Sequence, residues 1–286
     1  MTTMTTATAV TTATTLPLRV EAIRQLRRRR TLVAFGMLLT LPWVLVVAFQ
    51  IGGSPASDGP GGRPSLVEVA TASALNFALF ALFVSVGFLL VVAVALFCGD
   101  TVASEANWAS LRYLLAVPVP RARLLRQKLI VALGYAALAV VSLPLMSLIA
   151  GTVAFGWDDV RLPTGGAAVP AGEALRRMLI IVAYALVSQF VVAALAFFLS
   201  VTTDSPLGAV GGAVGLVIVS NILDAVTALG GWRNLLPTHW MFAWMDVLQP
   251  SIQWAGMAQG AAISVSYAVV LLALAFRRFQ AKDIVS

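Results

Sequence analysis

Residues 74–98 read ALNFALFALFVSVGFLLVVAVALFC, a run without one charged side chain, in which Asn76 and Ser85 supply the only amide and hydroxyl. A helix needs about 20 apolar residues to cross the ~30 Å hydrocarbon layer of a bilayer, and this run is long enough. Five more runs of the same kind follow from the sequence, at 31–51, 129–151, 178–200, 207–229 and 256–276. A barrel would show ~10-residue segments of alternating polarity instead. The pattern therefore predicts an all-α membrane protein with six transmembrane helices. A composition of 60% hydrophobic and 11% charged residues agrees, being far from that of a soluble domain.

The 19 basic residues are distributed unevenly. Arg19, Arg24, Arg27, Arg28, Arg29 and Arg30 precede the first span; Arg112, Arg121, Arg123, Arg126 and Lys128 lie between the second and third; Arg277, Arg278 and Lys282 follow the sixth. The alternate loops hold only Arg63, Arg161, Arg176, Arg177 and Arg233. By the positive-inside rule both termini are expected in the cytoplasm. The net charge of +7 then points to anionic inner-leaflet lipid as a partner, and not to nucleic acid. Cys98 and His239 are single occurrences, which excludes an intramolecular disulfide and cysteine or histidine-pair metal clusters. Lys128 and Lys282 are the only lysines and neither follows a glycine loop, so the chain has no phosphate-binding loop with which to hydrolyse ATP.

Residues 1–15, nearly all Thr and Ala, read as a disordered cytoplasmic tail. From Leu16 to Arg30, Leu16, Val20 and Ile23 recur at helical spacing among arginines, the pattern of an amphipathic elbow helix on the inner membrane face or a cytoplasmic extension of the first span. Between the fifth and sixth spans, residues 230–255 carry an apolar stretch too short to cross. A pair of short re-entrant helices dipping into the outer leaflet is expected there, with tryptophans at headgroup level. The loop of residues 99–128 has Leu111, Leu114 and Leu115 on one face with Trp108 a turn earlier, then Pro118 and Pro120 as breakers. A helix so placed is either a lever joining two spans or a helix resting on the bilayer.

In this loop, Glu105 followed by Leu111, Leu114-Leu115, Pro118-Val119, Arg121 and Lys128 resembles the cytoplasmic loop of ABC type-2 transporter permeases. Phe279 with Lys282-Asp283-Ile284 resembles the tail of the same family, while Ala109-Ser110 and Pro120 depart from its usual Gly-Thr and Ser. The resemblance implies that residues 16–286 form one transmembrane domain of that type, a permease subunit in a bacterial inner membrane, paired with a second permease copy or paralogue. Two separate ATP-binding subunits would carry ATP and Mg, and this chain would bind no cofactor or metal. Glu105, Trp108, Leu111, Leu114, Leu115 and Arg121 would couple ATP hydrolysis to export of a lipid, drug or other amphiphile.

Polar residues within spans are costly and frequently functional, which singles out Asn76, Gln189, Asn221 and Asp224. Asn76, Asn221 and Asp224 are candidates for a cargo pathway, with structural hydrogen bonding as the alternative for Asp224. Gly208 with Gly212, and Gly211 with Gly215, are small-xxx-small pairs that suit either a seam between two permeases or a contact inside one chain. An ion-coupled secondary transporter is the rival reading; it calls for repeats, broken helices and midplane acids. A membrane-embedded enzyme would need clustered catalytic groups, and Asp100 with Glu105 is the only near pair of acids in a cytoplasmic position.

Overall fold

The computed structural model describes residues 18–52, 65–107, 121–161, 168–249 and 251–281. Apart from turns and one antiparallel bridge between Val160 and Val169, the regular structure of the described residues is helical. A short helix α1 (Leu18–Leu26) precedes α2 (Arg29–Gly52). Then come α3 (Leu66–Ala70), α4 (Ala74–Val86), α5 (Leu89–Asn107), α6 (Arg121–Phe155), α7 (Ala171–Thr202), α8 (Pro206–Ala225) and α9 (Ala255–Ala281). Five of these, α2, α6, α7, α8 and α9, are each long and apolar enough to cross a membrane, and the bent pair α4 and α5 is long and apolar enough to make a sixth if it crosses as one. The chain is a multi-pass membrane protein.

Local sequence sets the helix starts. Ser73 is extended and its hydroxyl accepts the Asn76 N–H, opening α4; Ser205 does the same for Gly208, with Pro206 at the first helical position of α8. The run 74–98 is not one rod. It breaks at Gly87-Phe88, and α5 leaves α4 at 59°. A Cβ on Gly87 would stand 3.3 Å from the Phe242 ring, so the glycine lets this ring close over the bend.

α7 runs through the middle of the bundle and packs on α5, α8 and α9. Its apolar window is 56% buried, against 22% for α2, α8 and α9, which therefore present most of their apolar surface outward. Inside a membrane, close packing of helices relies on small residues more than on transfer from water. Gly151 of α6 illustrates this: a Cβ there would lie 2.9 Å from the Ala74 Cα, backbone against backbone. Gly99 of α5 does the same against α8, where a Cβ would meet the Val210 side chain at 3.0 Å and its backbone N at 3.3 Å.

The stretch between the last two spans differs from the expected pair of re-entrant helices. It forms three 3₁₀ segments, Thr227–Leu235, Pro237–Trp240 and Ala243–Leu248. Gly230 at φ 51° and Pro237 interrupt it too often for an α-helix to propagate. Met241, Trp244 and Val247 turn inward and are fully buried against the bundle, while Trp232 and Leu235 remain exposed. The tail 1–15 and the loop residues Trp108, Leu111, Leu114 and Leu115, where a coupling helix is expected from the sequence, lie outside the described residues.

Gly151→Val tests the backbone contact of α4 and α6. Overpacking there is expected to cost about 1–3 kcal/mol and lower the thermal midpoint of the detergent-solubilised protein. An unchanged midpoint would show that the two helices have room to separate.

Candidate functional site

The most polar part of the buried structure lies where α1, α5 and α6 meet at the arginine-rich end of the bundle. Glu105, on the last turns of α5, accepts from Arg24 of α1 and from Lys128 of α6, the latter at 2.6 Å. Lys128 also reaches Glu21 of α1 at 3.1 Å, and Arg24 reaches Glu21 at 2.9 Å. The side chains of Glu105 and Lys128 are only 5% and 3% exposed. An ion pair so deeply enclosed has weak screening, and each charge depends on the others for compensation. Burial raises the Glu21 carboxyl, but the charges of Lys128 and Arg24 more than reverse this and hold it below its ordinary value of 4.5. Arg24 is disfavoured by burial, and Glu105 and Glu21 more than compensate, raising it.

A second set of bonds ties α5 to the turn between α1 and α2. Arg28 and Arg30 each donate to Asp100 at 2.7 Å, one to each carboxylate oxygen, and Arg28 also reaches the Ser104 hydroxyl at 2.8 Å. Gln25 donates to the Phe97 carbonyl at 3.2 Å, and Tyr135 donates to the Ala22 carbonyl at 2.7 Å. Helix α1 is thus docked by side chains of two spans, with Leu18, Val20, Ile23 and Leu26 left exposed on its other side.

At the far end of α5 the bend is also serviced by a side chain. Gln189 of α7 donates its amide to the Val86 carbonyl at 2.8 Å, which replaces a backbone bond lost at the break. The Gln189 carbonyl oxygen and the Ser85 hydroxyl are buried without a hydrogen-bond partner among the described residues. Ser200, three turns along α7, accepts the N–H groups of Val102 at 3.0 Å and Ala103 at 2.9 Å. α7 therefore holds the bent pair at both ends of α5, through Gln189 at the last residue of α4 and through Ser200 near the far end of α5. Gln189 also lines a cavity of about 310 Å³ between α5, α6, α7 and α9, otherwise apolar and bounded by Val94, Leu133, Ala136 and Val265.

The other sequence candidates divide. Asn76 uses its amide on the Arg161 backbone, donating at 2.8 Å and accepting at 3.0 Å, so it clamps the start of α4 to the chain after α6. Asp224 is paired with His239 at 2.6 Å and Arg233 at 3.3 Å, which fastens the end of α8 to the 3₁₀ segments. Asn221 is half-buried beside it. Gly211 and Gly215 face open space, whereas a Cβ on Gly212 would meet Leu199 of α7 at 3.2 Å and one on Gly208 would meet its own cap Ser205 at 3.3 Å. The glycine pairs thus point in different directions: only Gly211 and Gly215 leave an open face. Arg121 reaches the Gln280 carbonyl at 3.4 Å, joining α6 to α9. Among the described residues no group of three His, Cys, Asp or Glu side chains could hold a metal.

Sequence reasoning singled out Glu105 but missed Lys128 as its buried counter-ion and Glu21 as the third member. Their spacing gives no helical signal, because they come from three elements. Gln189 as the keeper of the bend was missed for the same reason.

Removing one charge leaves the others buried and uncompensated. Lys128→Met and Glu105→Gln are each expected to destabilise the protein by about 3–5 kcal/mol, while the double variant Glu105→Leu/Lys128→Met recovers most of the loss. Additive losses in thermal unfolding would show that the two do not form one unit. A separate expectation concerns acid. The depressed Glu21 carboxyl contributes stability that is complete above its unfolded value and is lost as pH falls through its folded one. The thermal midpoint should therefore fall more steeply below pH 4.5 for the wild type than for Glu21→Gln. Identical acid limbs would contradict the pairing.

In a comparison with known protein families, residues 63–285 match a family described as Protein of unknown function (DUF2705). None of the curated proteins matches the chain. The ABC type-2 permeases are not the family that matches, so the resemblance read from Glu105, Leu111, Leu114, Pro118, Arg121 and Lys128 is corrected. Its positions are leucines, prolines and basic residues at loose spacing, which any basic amphipathic loop between two spans supplies. The match covers most of the chain, and the protein belongs to the DUF2705 family, whose function is unknown.

Proposed function

We propose that the chain is the membrane-spanning permease subunit of a transporter for a lipid-like, drug-like or other amphiphilic compound, with energy supplied by a separate ATP-hydrolysing partner. The observation that carries this reading is the suspension of α5. One end bends at Gly87-Phe88 beside an apolar cavity, and the other is held by Glu105, Asp100 and their basic partners next to the loop 108–120. A partner that displaced this loop would act on Glu105 and tilt α5 about its bend, changing the space beside Gln189. Movements of this kind are hinge motions of a rigid segment. The absence of a phosphate-binding loop from the sequence supports placing the motor on another chain. The distribution of arginines supports a cytoplasmic position for α1 and the Glu105 cluster, and the open Gly211 and Gly215 face of α8 supports a second permease copy or paralogue as neighbour.

An ion-coupled secondary transporter is the second reading, and the broken α4–α5 span favours it, since discontinuous helices recur in such proteins. Against it, the carboxylates Asp100, Glu105, Glu173 and Asp224 all stand toward helix ends and not at the bend.

Copurification from native membranes, followed by reconstitution with a fluorescent lipid analogue, separates the two. The purified chain alone is expected to show no ATP hydrolysis, and cargo movement should require ATP and the copurified partner. Leu114→Asp should insert normally yet lose the partner. The double variant Glu105→Leu/Lys128→Met, which recovers most of the stability lost by either single change, should retain the partner while moving less cargo for each ATP hydrolysed. Cargo movement driven by an ion gradient without any ATPase would overturn the proposal in favour of the second reading.

A further inference from the structure

α2 and α5 run antiparallel but part over much of their length, leaving a groove of about 310 Å³ on the side of the bundle. Its floor and walls are apolar and include Ala34, Met37, Leu38 and Ala93, and it ends near Leu89 at the bend of the second span. Arg29 and Arg30 stand at the opposite end. From Arg29 to Leu38 the groove follows α2 for about 13 Å. Arg30 is engaged with Asp100 at 2.7 Å, yet 59% of its side chain is exposed. Arg29 is exposed and has no hydrogen bond or ion pair among the described residues. With Arg28 also on Asp100, two guanidinium groups share one carboxylate and Arg29 adds a third positive charge beside them, so the mouth is left cationic.

We infer that this groove is a binding site for one anionic phospholipid, its phosphate at Arg29 and Arg30 and one acyl chain lying between α2 and α5. Two features select this occupant. The charge lies where an apolar membrane span begins, at the depth of a headgroup, and the apolar channel runs from it along the helix axes toward the bilayer centre, as an acyl chain does. A transmembrane helix of a partner, about 10 Å across and so roughly 1,000 Å³ over the same length, exceeds the groove's 310 Å³. A second copy of this chain would bring the same positive charge to the mouth. The inference is independent of the transport proposal, and its test uses no cargo and no ATP.

The full chain is reconstituted in vesicles of equal parts phosphatidylglycerol and phosphatidylcholine, and the lipid retained after detergent extraction is counted by native mass spectrometry. The wild type is expected to retain one phosphatidylglycerol in preference to phosphatidylcholine. Arg29→Gln should reduce that preference by about five-fold, the effect of one interfacial cation, and Arg29→Lys should keep it. Ala93→Trp, which fills the groove without touching the charges, should abolish retention of either lipid. Millimolar inorganic phosphate should not displace the bound lipid, because it offers nothing to the channel. Equal retention of the two lipids by the wild type, an unchanged preference in Arg29→Gln, or retention undiminished in Ala93→Trp would each overturn the site. Displacement by phosphate alone would also overturn it, since the channel would then contribute nothing. The thermal midpoint of each variant identifies misfolding, and Arg29→Gln, at an exposed position, keeps the test valid should Ala93→Trp fail to fold.

Discussion

The buried contact between Glu105 and Lys128 constrains everything at its end of the molecule. Two full charges taken out of water must stay together, and here they come from different spans, with Arg24 and Glu21 completing the set from a third helix. The loss of any one member exposes its partner to an apolar surrounding, so α1, α5 and α6 behave as one body at this point. The same requirement fixes α1 against the bundle. Its exposed apolar residues Leu18, Val20, Ile23 and Leu26 would not by themselves choose an orientation, whereas the bonds from Gln25, Arg24 and Tyr135 do.

A segment locked at one end can still turn about the other. α5 has no unbroken helix above it, and the backbone group freed at the break is satisfied by Gln189 from α7 and not by its own ladder. A hydrogen bond to a side chain can be lost and remade with less reorganisation than an internal helix bond, because only rotamers move. Strong restraint by charges and adaptable restraint by one amide make the two ends of α5 physically unlike. The cavity beside Gln189 lies next to the adaptable end.

Much of the architecture could be read from periodicity and charge. The apolar runs at 31–51, 129–151, 178–200, 207–229 and 256–276 fall within or nearly within single helices, since a long uncharged run offers the chain few alternatives. The bend at Gly87 was not legible, because a glycine within an apolar run is common in membrane helices and signals no break by itself. The stretch after α8 was read by its hydrophobicity as a membrane-dipping pair of helices, yet Met241, Trp244 and Val247 are buried by the protein. Hydrophobicity tells that a residue avoids water, and not whether lipid or protein covers it. Glu105 and Arg121 stood out from the loop pattern, but the family drawn from that pattern was wrong, since leucine and arginine spacing follows from amphipathicity and carries little ancestry. Trp108, Leu111, Leu114 and Leu115 belong to the loop itself, outside the described residues.

The contact at Gly99 has a consequence for the outer surface of the molecule. With Gly99 of α5 set against the side chain and backbone of Val210, the two helices approach so closely here that only one valine side chain could absorb a shift. Rotation of α5 is then passed to α8, another side of which carries Gly211 and Gly215 into open space. A neighbouring chain seated there would feel the state of the charged cluster without touching it, as one wheel reports the turning of another.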